Sequence, residues 1–347
     1  MDKPAPLTLR LSAWYRAFKG FYDRDSTDKV DFVARFLFSA RSVILVISAQ
    51  AAIISGLLAF IFSSFYPLRF VILFIGFIDA HWLSNLSNDY FGYFRGDDSP
   101  DSPRRKYTIH PIADGVITRS EAKISLLVLL SIGILVALYF TITVGIYTLV
   151  FFGLGVLLLF FYDAAPTPLK AVGLGEVASF LAWGPVMIMG GYYVLTGQLS
   201  TIPLIAGIPY GLGVMSILWG KHIDQQAYDS RKNIRTMPVI LGTRISRIIG
   251  SGIVILTYIT VLISVATGYL PVTTVIVAIS IPAAYHAIMR FRSPMPEKPP
   301  EGFVGWPLWY HRGALMFNKR FGWSYILSFL VAALLIHIGI IHHYIIL

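Results

Sequence analysis

The sequence contains no cysteine, which excludes disulfide bonds and thiolate chemistry but does not indicate a compartment. Charge is also scarce, because only 13% of the 347 residues are charged, whereas a soluble domain carries roughly a quarter. No leader with a charged start, a short apolar stretch and a small-residue cleavage site is visible, so we expect no cleaved signal peptide. Hydrophobic residues make up 56% of the chain and form continuous runs. These features predict an all-α integral membrane protein.

Nine segments are apolar and long enough to be candidates for spanning a bilayer, which takes about 20 residues. They cover approximately 42–64, 68–88, 123–143, 146–162, 174–194, 203–220, 248–267, 271–290 and 324–346. All but Arg69 of the 28 Lys and Arg residues then fall on one side. This asymmetry predicts a multi-pass protein of the cell membrane with a cytoplasmic amino terminus and an outer carboxyl terminus. The formal net charge of +10 is therefore assigned to topology and anionic headgroups rather than to nucleic acid.

The end of the second segment is rich in Asn and Asp, in the stretch SNLSNDYFGYFRGDDSP from Ser84 to Pro100. Asn85 and Asp89 are four residues apart and share a helix face, and Asp98 adds a carboxylate in the following loop. Carboxylate and amide oxygens at a helix end suit Mg²⁺, which usually shares its coordination with phosphates. The alternative interpretation is a solvated loop with ordinary polar residues at a helix end.

A second cluster follows the sixth segment, in WGKHIDQQAYDSRKNIRTMPVILGTR from Trp219 to Arg244. Asp224 and Asp229 are five residues apart, about 140° around a helix, so they share a face imperfectly. Lys221, Arg231 and Arg235 add positive charge. A diphosphate flanked by Mg²⁺ and basic side chains is a good leaving group, because the charge that develops on it is already matched. Both clusters lie on the cytoplasmic side, where we expect a site to open.

Four segments of the chain resemble, in the right order, the UbiA superfamily of intramembrane prenyltransferases. The stretch SNLSNDYFGYFRGDDSPD is similar to its first Asn/Asp-rich motif, in the form of the 1,4-dihydroxy-2-naphthoate polyprenyltransferases of menaquinone synthesis. DQQAYDSRKNIRTMPVILG resembles the second Asp-rich motif. The segments Lys106 to Ala122 and Tyr162 to Gln198 also resemble their counterparts in these enzymes.

The resemblance implies a domain of nine helices around a central cavity, over 41–347. The polar and basic residues before it predict a cytoplasmic amphipathic segment over 1–40. It implies transfer of a prenyl group from a prenyl diphosphate to an aromatic acceptor, with Mg²⁺ as the cofactor. The residues expected to hold the metal are Asn85, Asp89, Asp98, Asp224 and Asp229, all but Asp98 also being assigned to catalysis. Candidate diphosphate contacts by resemblance are Arg95, Lys106 and Lys170, while Lys221, Arg231 and Arg235 come from the local sequence.

The chain departs from the family pattern at three places. Gly92 stands where the first motif usually has another Asp, and His110 stands where Arg is common. The separation of Asp224 and Asp229 also exceeds the usual four residues. Each departure implies a changed metal arrangement, a changed substrate or lost activity. Glu176 is a further functional candidate, since an acid inside a membrane span is rare without a function.

Several alternatives stay open. Within the superfamily, hydroxybenzoate, homogentisate, haem and a glycerol-phosphate ether lipid are other acceptors, and a member can bind lipid without catalysis. A transporter or channel is opposed by the short, nearly uncharged outer loops and by acids that lie at one face only. Neither the prenyl chain length nor the oligomeric state follows from the sequence.

Overall fold

The computed structural model describes residues 7–22, 30–97 and 99–340, and in these ranges it contains helices and no strand. Asp98 lies outside the described residues. Nine of the described helices are long and apolar enough to cross a membrane, so the prediction of an all-α protein with nine spans is confirmed. The first to ninth spans are Ser42–Phe62, Pro67–Arg95, Arg119–Thr143, Tyr147–Ala164, Gly175–Thr196, Thr201–Arg231, Thr243–Ala266, Val272–Arg292 and Trp309–His337.

Shorter helical elements flank the spans and interrupt some of them. Outside the spans lie Leu7–Phe18, Phe32–Ser39, Pro103–Lys106, Leu169–Ala171 and Met237–Leu241. The fourth span ends in a π-helical turn, Phe160–Ala164, and the fifth contains another, Ala182–Val186. Pro185 lies inside this second turn, where its missing N–H interrupts the hydrogen-bond ladder. The eighth span begins as the 3₁₀-helix Val272–Ser280.

The second and sixth spans are longer than their apolar segments. They contain 29 and 31 residues, and a helix of that size is about 45 Å long, against roughly 30 Å of hydrocarbon. Both polar motifs therefore continue onto helix that extends beyond the apolar segment. The ninth span likewise begins at Trp309 rather than near residue 324, since Arg312, Lys319 and Arg320 lower the local hydropathy without ending the helix.

The fifth and sixth spans approach each other closely where glycine residues face one another. A Cβ built at Gly184 would lie 2.6 Å from the Gly207 carbonyl oxygen, and one at Gly211 would lie 2.7 Å from the Phe180 carbonyl oxygen. Gly207 and Gly211 are four residues apart, which is the small-residue spacing that lets membrane helices approach closely. This contact fixes the two spans that carry Glu176 and the second acidic motif.

The centre of the bundle lies where the first, sixth and ninth spans meet, and its buried hydroxyls are satisfied. The Tyr210 hydroxyl donates to the Ile47 carbonyl at 2.6 Å, and the Tyr325 hydroxyl donates to the Ala206 carbonyl at 3.1 Å. Such bonds matter inside a membrane protein, because an unpaired polar group there has no water to bind. They hold the sixth span against both neighbours.

The two amino-terminal helices are joined by Asp31, which caps the helix that begins at the next residue. Its side chain accepts hydrogen bonds from the backbone N–H of Ala34 at 3.0 Å, from Arg10 at 2.9 Å and from Trp14 at 2.8 Å. Burial raises the pKa of Asp31, but these hydrogen bonds outweigh it and lower the pKa overall. The ionised carboxylate therefore stabilises this pair of helices.

Candidate active site

A polar pocket of about 80 Å³ lies between the ends of the second and sixth spans. The residues that line it are Arg41, Asn88, Asp97, Ser102, Pro103, Arg104, Tyr107, Lys170, Lys221, His222, Gln225, Tyr228, Asp229, Ile234 and Thr236. Arginine and lysine outnumber carboxylates in this lining. The pocket is therefore suited to a ligand that carries more than one negative charge.

Asp89 lies behind the pocket lining and binds two arginines. The Arg104 guanidinium donates to it through both terminal nitrogens, with Nη1–Oδ1 at 2.6 Å and Nη2–Oδ2 at 2.8 Å. Arg41 also donates to Oδ1, from a left-handed backbone conformation (φ 52°) that is uncommon outside glycine. Because Asp89 is fully buried, its carboxylate is neutralised by these two arginine side chains rather than by solvent. Neither arginine was predicted, because Arg41 precedes the first span and Arg104 belongs to a basic loop.

Lys170 connects this wall to the segment after the fourth span. Its Nζ lies 3.1 Å from Asn88 Oδ1 and 3.4 Å from Asp97 Oδ2. It also lies 3.2 Å from Asp163 Oδ1. Arg95 completes the cluster, because its Nη2 donates to Asp97 Oδ2 at 3.0 Å while its Nη1 donates to the Asp163 carbonyl. Of these two predicted diphosphate contacts, Lys170 lines the pocket and Arg95 binds a carboxylate that lines it.

Asp97 fills the space left by the glycine at position 92. A Cβ built at Gly92 would lie 3.6 Å from Asp97 Oδ2. The helix ends at Arg95, and Gly96 (φ 74°) turns the chain so that the Asp97 N–H donates to the Gly92 carbonyl at 3.0 Å. Asp97 thus returns a carboxylate to the region of the missing aspartate, although it is paired with Arg95 and Lys170.

On the sixth span, the pocket residue one turn before Asp229 is Gln225 rather than Asp224. Asp224 points elsewhere and caps the ninth span, accepting hydrogen bonds from the N–H groups of Tyr310 at 3.0 Å and His311 at 2.9 Å. Asp224 is not among the lining residues, so the structure does not place it in the pocket where we predicted a metal ligand and catalytic residue. Its spacing of five residues rotates it away from the face that Asp229 presents.

A buried histidine–glutamate pair connects the fifth span to the pocket. His222 Nδ1 lies 2.7 Å from Glu176 Oε1, and His222 lines the pocket. In the tautomer that carries its proton on Nδ1, His222 donates to this carboxylate and has Nε2 as an acceptor. Glu176 is fully buried, so its contact with the pocket runs through His222.

Tyr228 links the two walls of the pocket. Its hydroxyl donates to the Asp97 carbonyl at 2.8 Å and lies 2.7 Å from Ser99 Oγ. Because Tyr228 belongs to the sixth span and Asp97 follows the second, this contact holds the two motif-bearing segments together. Sequence reasoning did not identify it, since tyrosine is common in this chain.

The remaining candidates do not line the pocket. Asn85 is buried and donates from Nδ2 to the Ala40 carbonyl at 3.0 Å, which positions the turn before Arg41. Buried His110 accepts at Nδ1 from the N–H groups of Ile112 and Ala113, and is likewise not among the lining residues. The exposed candidates are Lys106, Arg231 and Arg235.

An apolar cavity of about 250 Å³ lies next to the polar pocket, mainly between the second, third, fourth and fifth spans. Ser84 on its wall is one helical turn from Asn88 in the pocket. Its aromatic lining comprises Phe77, Phe140, Phe151, Phe152, Tyr162 and Trp183. Asp79 also lines it, and among the described residues neither of its carboxylate oxygens has a hydrogen-bond partner.

The carboxylates at the pocket do not fit the Mg²⁺ site that the resemblance implies. Asp89 is occupied by two arginines, Asp97 is paired with two basic side chains, and Asp224 caps a helix. Among the described residues, Asp229 is the remaining carboxylate in the pocket lining, and a single carboxylate does not make up a Mg²⁺ site. Throughout the described ranges, no group of three or more His, Asp or Glu side chains is arranged to hold a metal ion. A set of ligands for Mg²⁺ is therefore not assembled here.

A helical membrane bundle with a basic pocket beside an apolar cavity is suited to an amphiphilic anion, whose charged end would face the basic side chains. The family model of the UbiA prenyltransferase family matches residues 49–309, which is most of the chain. The chain therefore belongs to this family of membrane enzymes, and the resemblance found in the sequence is confirmed at that level.

Individual relatives are distant. The chain is 26% identical over 215 residues to UbiA prenyltransferase domain-containing protein 1 of Danio rerio, covering 61% of this chain and 62% of that protein. It is 24% identical over 250 residues to the 1,4-dihydroxy-2-naphthoate octaprenyltransferase of Bacillus subtilis (strain 168), covering 70% of this chain and 78% of that protein. The chain thus spans less than two thirds of the Danio rerio protein.

A solved structure supports the fold. The UbiA homologue from Archaeoglobus fulgidus, bound to GPP and Mg²⁺, superposes with a TM-score of 0.58 at 14% identity. The match covers 86% of this chain and 99% of that chain. At this identity the likeness establishes the nine-helix architecture and leaves residue roles to the geometry of the chain itself.

Proposed function

We propose that the protein transfers a prenyl group from a prenyl diphosphate to an aromatic acceptor. The observation that carries this proposal is the cation-lined pocket beside an apolar cavity within the bundle. The pocket suits the diphosphate, and the cavity suits the prenyl chain. Family membership and the GPP-bound homologue from Archaeoglobus fulgidus support the class of donor.

The reaction begins when the bond between the allylic carbon and the diphosphate oxygen breaks, and the diphosphate leaves with the electron pair. Lys170 and Lys221 match the charge that develops on the leaving group. The apolar cavity keeps water from the allylic cation, and the faces of Tyr162 and Trp183 stabilise it. No step is assigned to Mg²⁺, which the resemblance implies, because the donor set does not fit it.

The electron-rich ring of the acceptor then forms a bond to the allylic carbon and releases a proton. His222 Nε2 is the proposed proton acceptor, because Glu176 holds the opposite ring nitrogen. The first choice of acceptor is a dihydroxynaphthoate for quinone biosynthesis, by similarity to the relative from Bacillus subtilis. Hydroxybenzoate, homogentisate, haem and an ether lipid are the competing acceptors.

The proposed topology places the pocket and the amino terminus in the cytoplasm and the carboxyl terminus outside the cell membrane. The absence of cysteine makes this simple to test with single-cysteine variants. Lys106→Cys lies between the pocket residues Arg104 and Tyr107 in the sequence, and it should react with an impermeant maleimide only after the cells are permeabilised. Thr267→Cys, between the seventh and eighth spans, should react from outside in intact cells, and the reverse pattern would contradict the topology.

Catalysis is tested with the purified protein in lipid nanodiscs, labelled geranylgeranyl diphosphate and a mixed pool of acceptors. Mass spectrometry should reveal one prenylated aromatic product. Lys170→Gln should lower turnover at least about tenfold, because a charge-assisted contact to the leaving group is lost. Arg231→Gln is the matched control, since Arg231 is exposed and absent from the pocket lining. Donor binding without any product would indicate a non-catalytic member of the family.

A further inference from the structure

Most of the carboxylates that the family motifs imply as metal ligands already accept hydrogen bonds from other groups of the protein. Asp89 accepts from Arg104 through both oxygens and from Arg41 as well, with no exposed surface. Freeing it for a metal would leave two arginines without their counter-charge, one of them almost fully buried. Breaking such a buried pair is strongly unfavourable. Asp89 is therefore built as a positioning residue that holds two guanidinium groups at the pocket.

On the opposite wall, the position one helical turn before Asp229 carries no carboxylate. Gln225 lies one turn before Asp229 and shares its face, but a neutral amide is a weaker ligand for Mg²⁺ than a carboxylate. Asp224, the adjacent acid, is committed to the N–H groups that open the ninth span. One acidic side chain of the sixth span therefore faces the pocket.

Positive charge enters the pocket from four separate parts of the chain. Arg41 precedes the first span, Arg104 follows the second, Lys170 follows the fourth and Lys221 lies on the sixth. Two carboxylates, Asp97 and Asp229, share the lining. The side chains that line the pocket thus carry net positive charge before any metal binds, which is what a diphosphate requires.

We propose that this chain binds the diphosphate of its prenyl donor through arginine and lysine side chains, and that Mg²⁺ is not required for this binding. The inference rests on the proposed function and deepens it. Arginine and lysine are suited to the role, since both make charge-assisted hydrogen bonds to phosphate oxygens. In this arrangement Asp229 repels the diphosphate rather than attracting it through a metal.

The experiment is equilibrium binding of geranylgeranyl diphosphate to the full chain in nanodiscs of neutral lipid, with either Mg²⁺ or excess EDTA. The dissociation constant should change less than about tenfold between the two conditions. A change of that size corresponds to the loss of one charge-assisted contact at most. Lys221→Gln should weaken binding at least about tenfold in EDTA, while the exposed Arg231→Gln on the same span should not. Asp229→Asn should bind as tightly as the wild type or more tightly in EDTA.

A second variant tests the same idea in the opposite direction. Gln225→Asp adds a carboxylate one turn from Asp229, so its binding should weaken in EDTA and recover with Mg²⁺. Thermal unfolding of each variant confirms that it is folded, and the comparison with and without EDTA is made on the same sample.

The outcomes separate this inference from the proposed function. If wild-type binding falls about tenfold or more in EDTA, or if Asp229→Asn binds that much less tightly, metal-free binding is overturned while the prenyltransferase proposal stands. If geranylgeranyl diphosphate binds in neither condition, both are overturned. Retained binding in EDTA together with the loss in Lys221→Gln supports the inference.

Discussion

Replacing Asp89 with asparagine should destabilise the protein, because Asp89 neutralises two arginines. The substitution keeps the shape of the side chain and removes its charge. Arg104 then loses one of its two short hydrogen bonds, which measure 2.6 and 2.8 Å, and the other is no longer made to a charged acceptor, while its side chain is only 9% exposed. Removing one partner of a buried pair costs about 3–5 kcal/mol. We expect a loss of about 3 kcal/mol, since the Arg41 side chain is 26% exposed and can regain water.

The assay is equilibrium unfolding in mixed micelles, followed by tryptophan fluorescence. The matched control is Asp97→Asn, whose partly exposed pair with Arg95 should contribute at most about 1 kcal/mol. A variant Asp89→Leu combined with Arg104→Met should recover part of the loss, because the nearly fully buried charge of Arg104 is removed together with that of Asp89, while Arg41 is exposed enough to regain water. An Asp89→Asn protein with wild-type stability and no prenyl transfer would refute the reasoning, since Asp89 would then be a ligand rather than a structural partner.

Three further predictions concern other parts of the fold. Gly211→Ala should lower the free energy of unfolding by about 1–3 kcal/mol, because the added Cβ would meet the Phe180 carbonyl oxygen. Gly252→Ala is the control and should leave this free energy unchanged, since no atom lies within contact distance of its Cβ; thermal unfolding compares the two variants. Asp79→Leu should raise the free energy of unfolding by about 1–3 kcal/mol, because it removes a buried carboxyl group that has no hydrogen-bond partner among the described residues. A decrease in stability would instead show that Asp79 binds a partner in the folded protein. Asp31→Ala should cost about 1 kcal/mol at neutral pH. Because the folded pKa of Asp31 is lowered, this difference should shrink as pH falls below about 3.9 and through that pKa, and a constant difference across a pH series would argue against the cap.

Hydropathy predicted the number of spans, because each span has an apolar core that no loop in this chain matches. It misplaced the ends where helices continue beyond the hydrocarbon. The second span runs on to Arg95, and the ninth begins at Trp309. Hydrogen bonding and capping decide such ends: Gly96 closes the second span, and Asp224 caps the ninth across a long stretch of chain.

The sequence motifs predicted that the ends of the second and sixth spans would form one site, and residues of both line a common pocket. The register within the sixth span could not be settled by motif alone, since Asp224 and Gln225 are neighbours and differ by one step of helix rotation. Arg41 and Arg104 were missed because nothing local distinguishes them from other basic residues near a membrane surface. Their role depends on contacts with Asp89 across the fold.

The central claim is that one pocket, built from the ends of distant spans, holds the diphosphate of a prenyl donor. The most direct measurement is a cryo-EM structure in nanodiscs with a non-reactive thiodiphosphate analogue of geranylgeranyl diphosphate. The account predicts phosphate density between Lys170 and Lys221, with the prenyl chain in the cavity beside Trp183. Density for the diphosphate at any other place on the protein would contradict it.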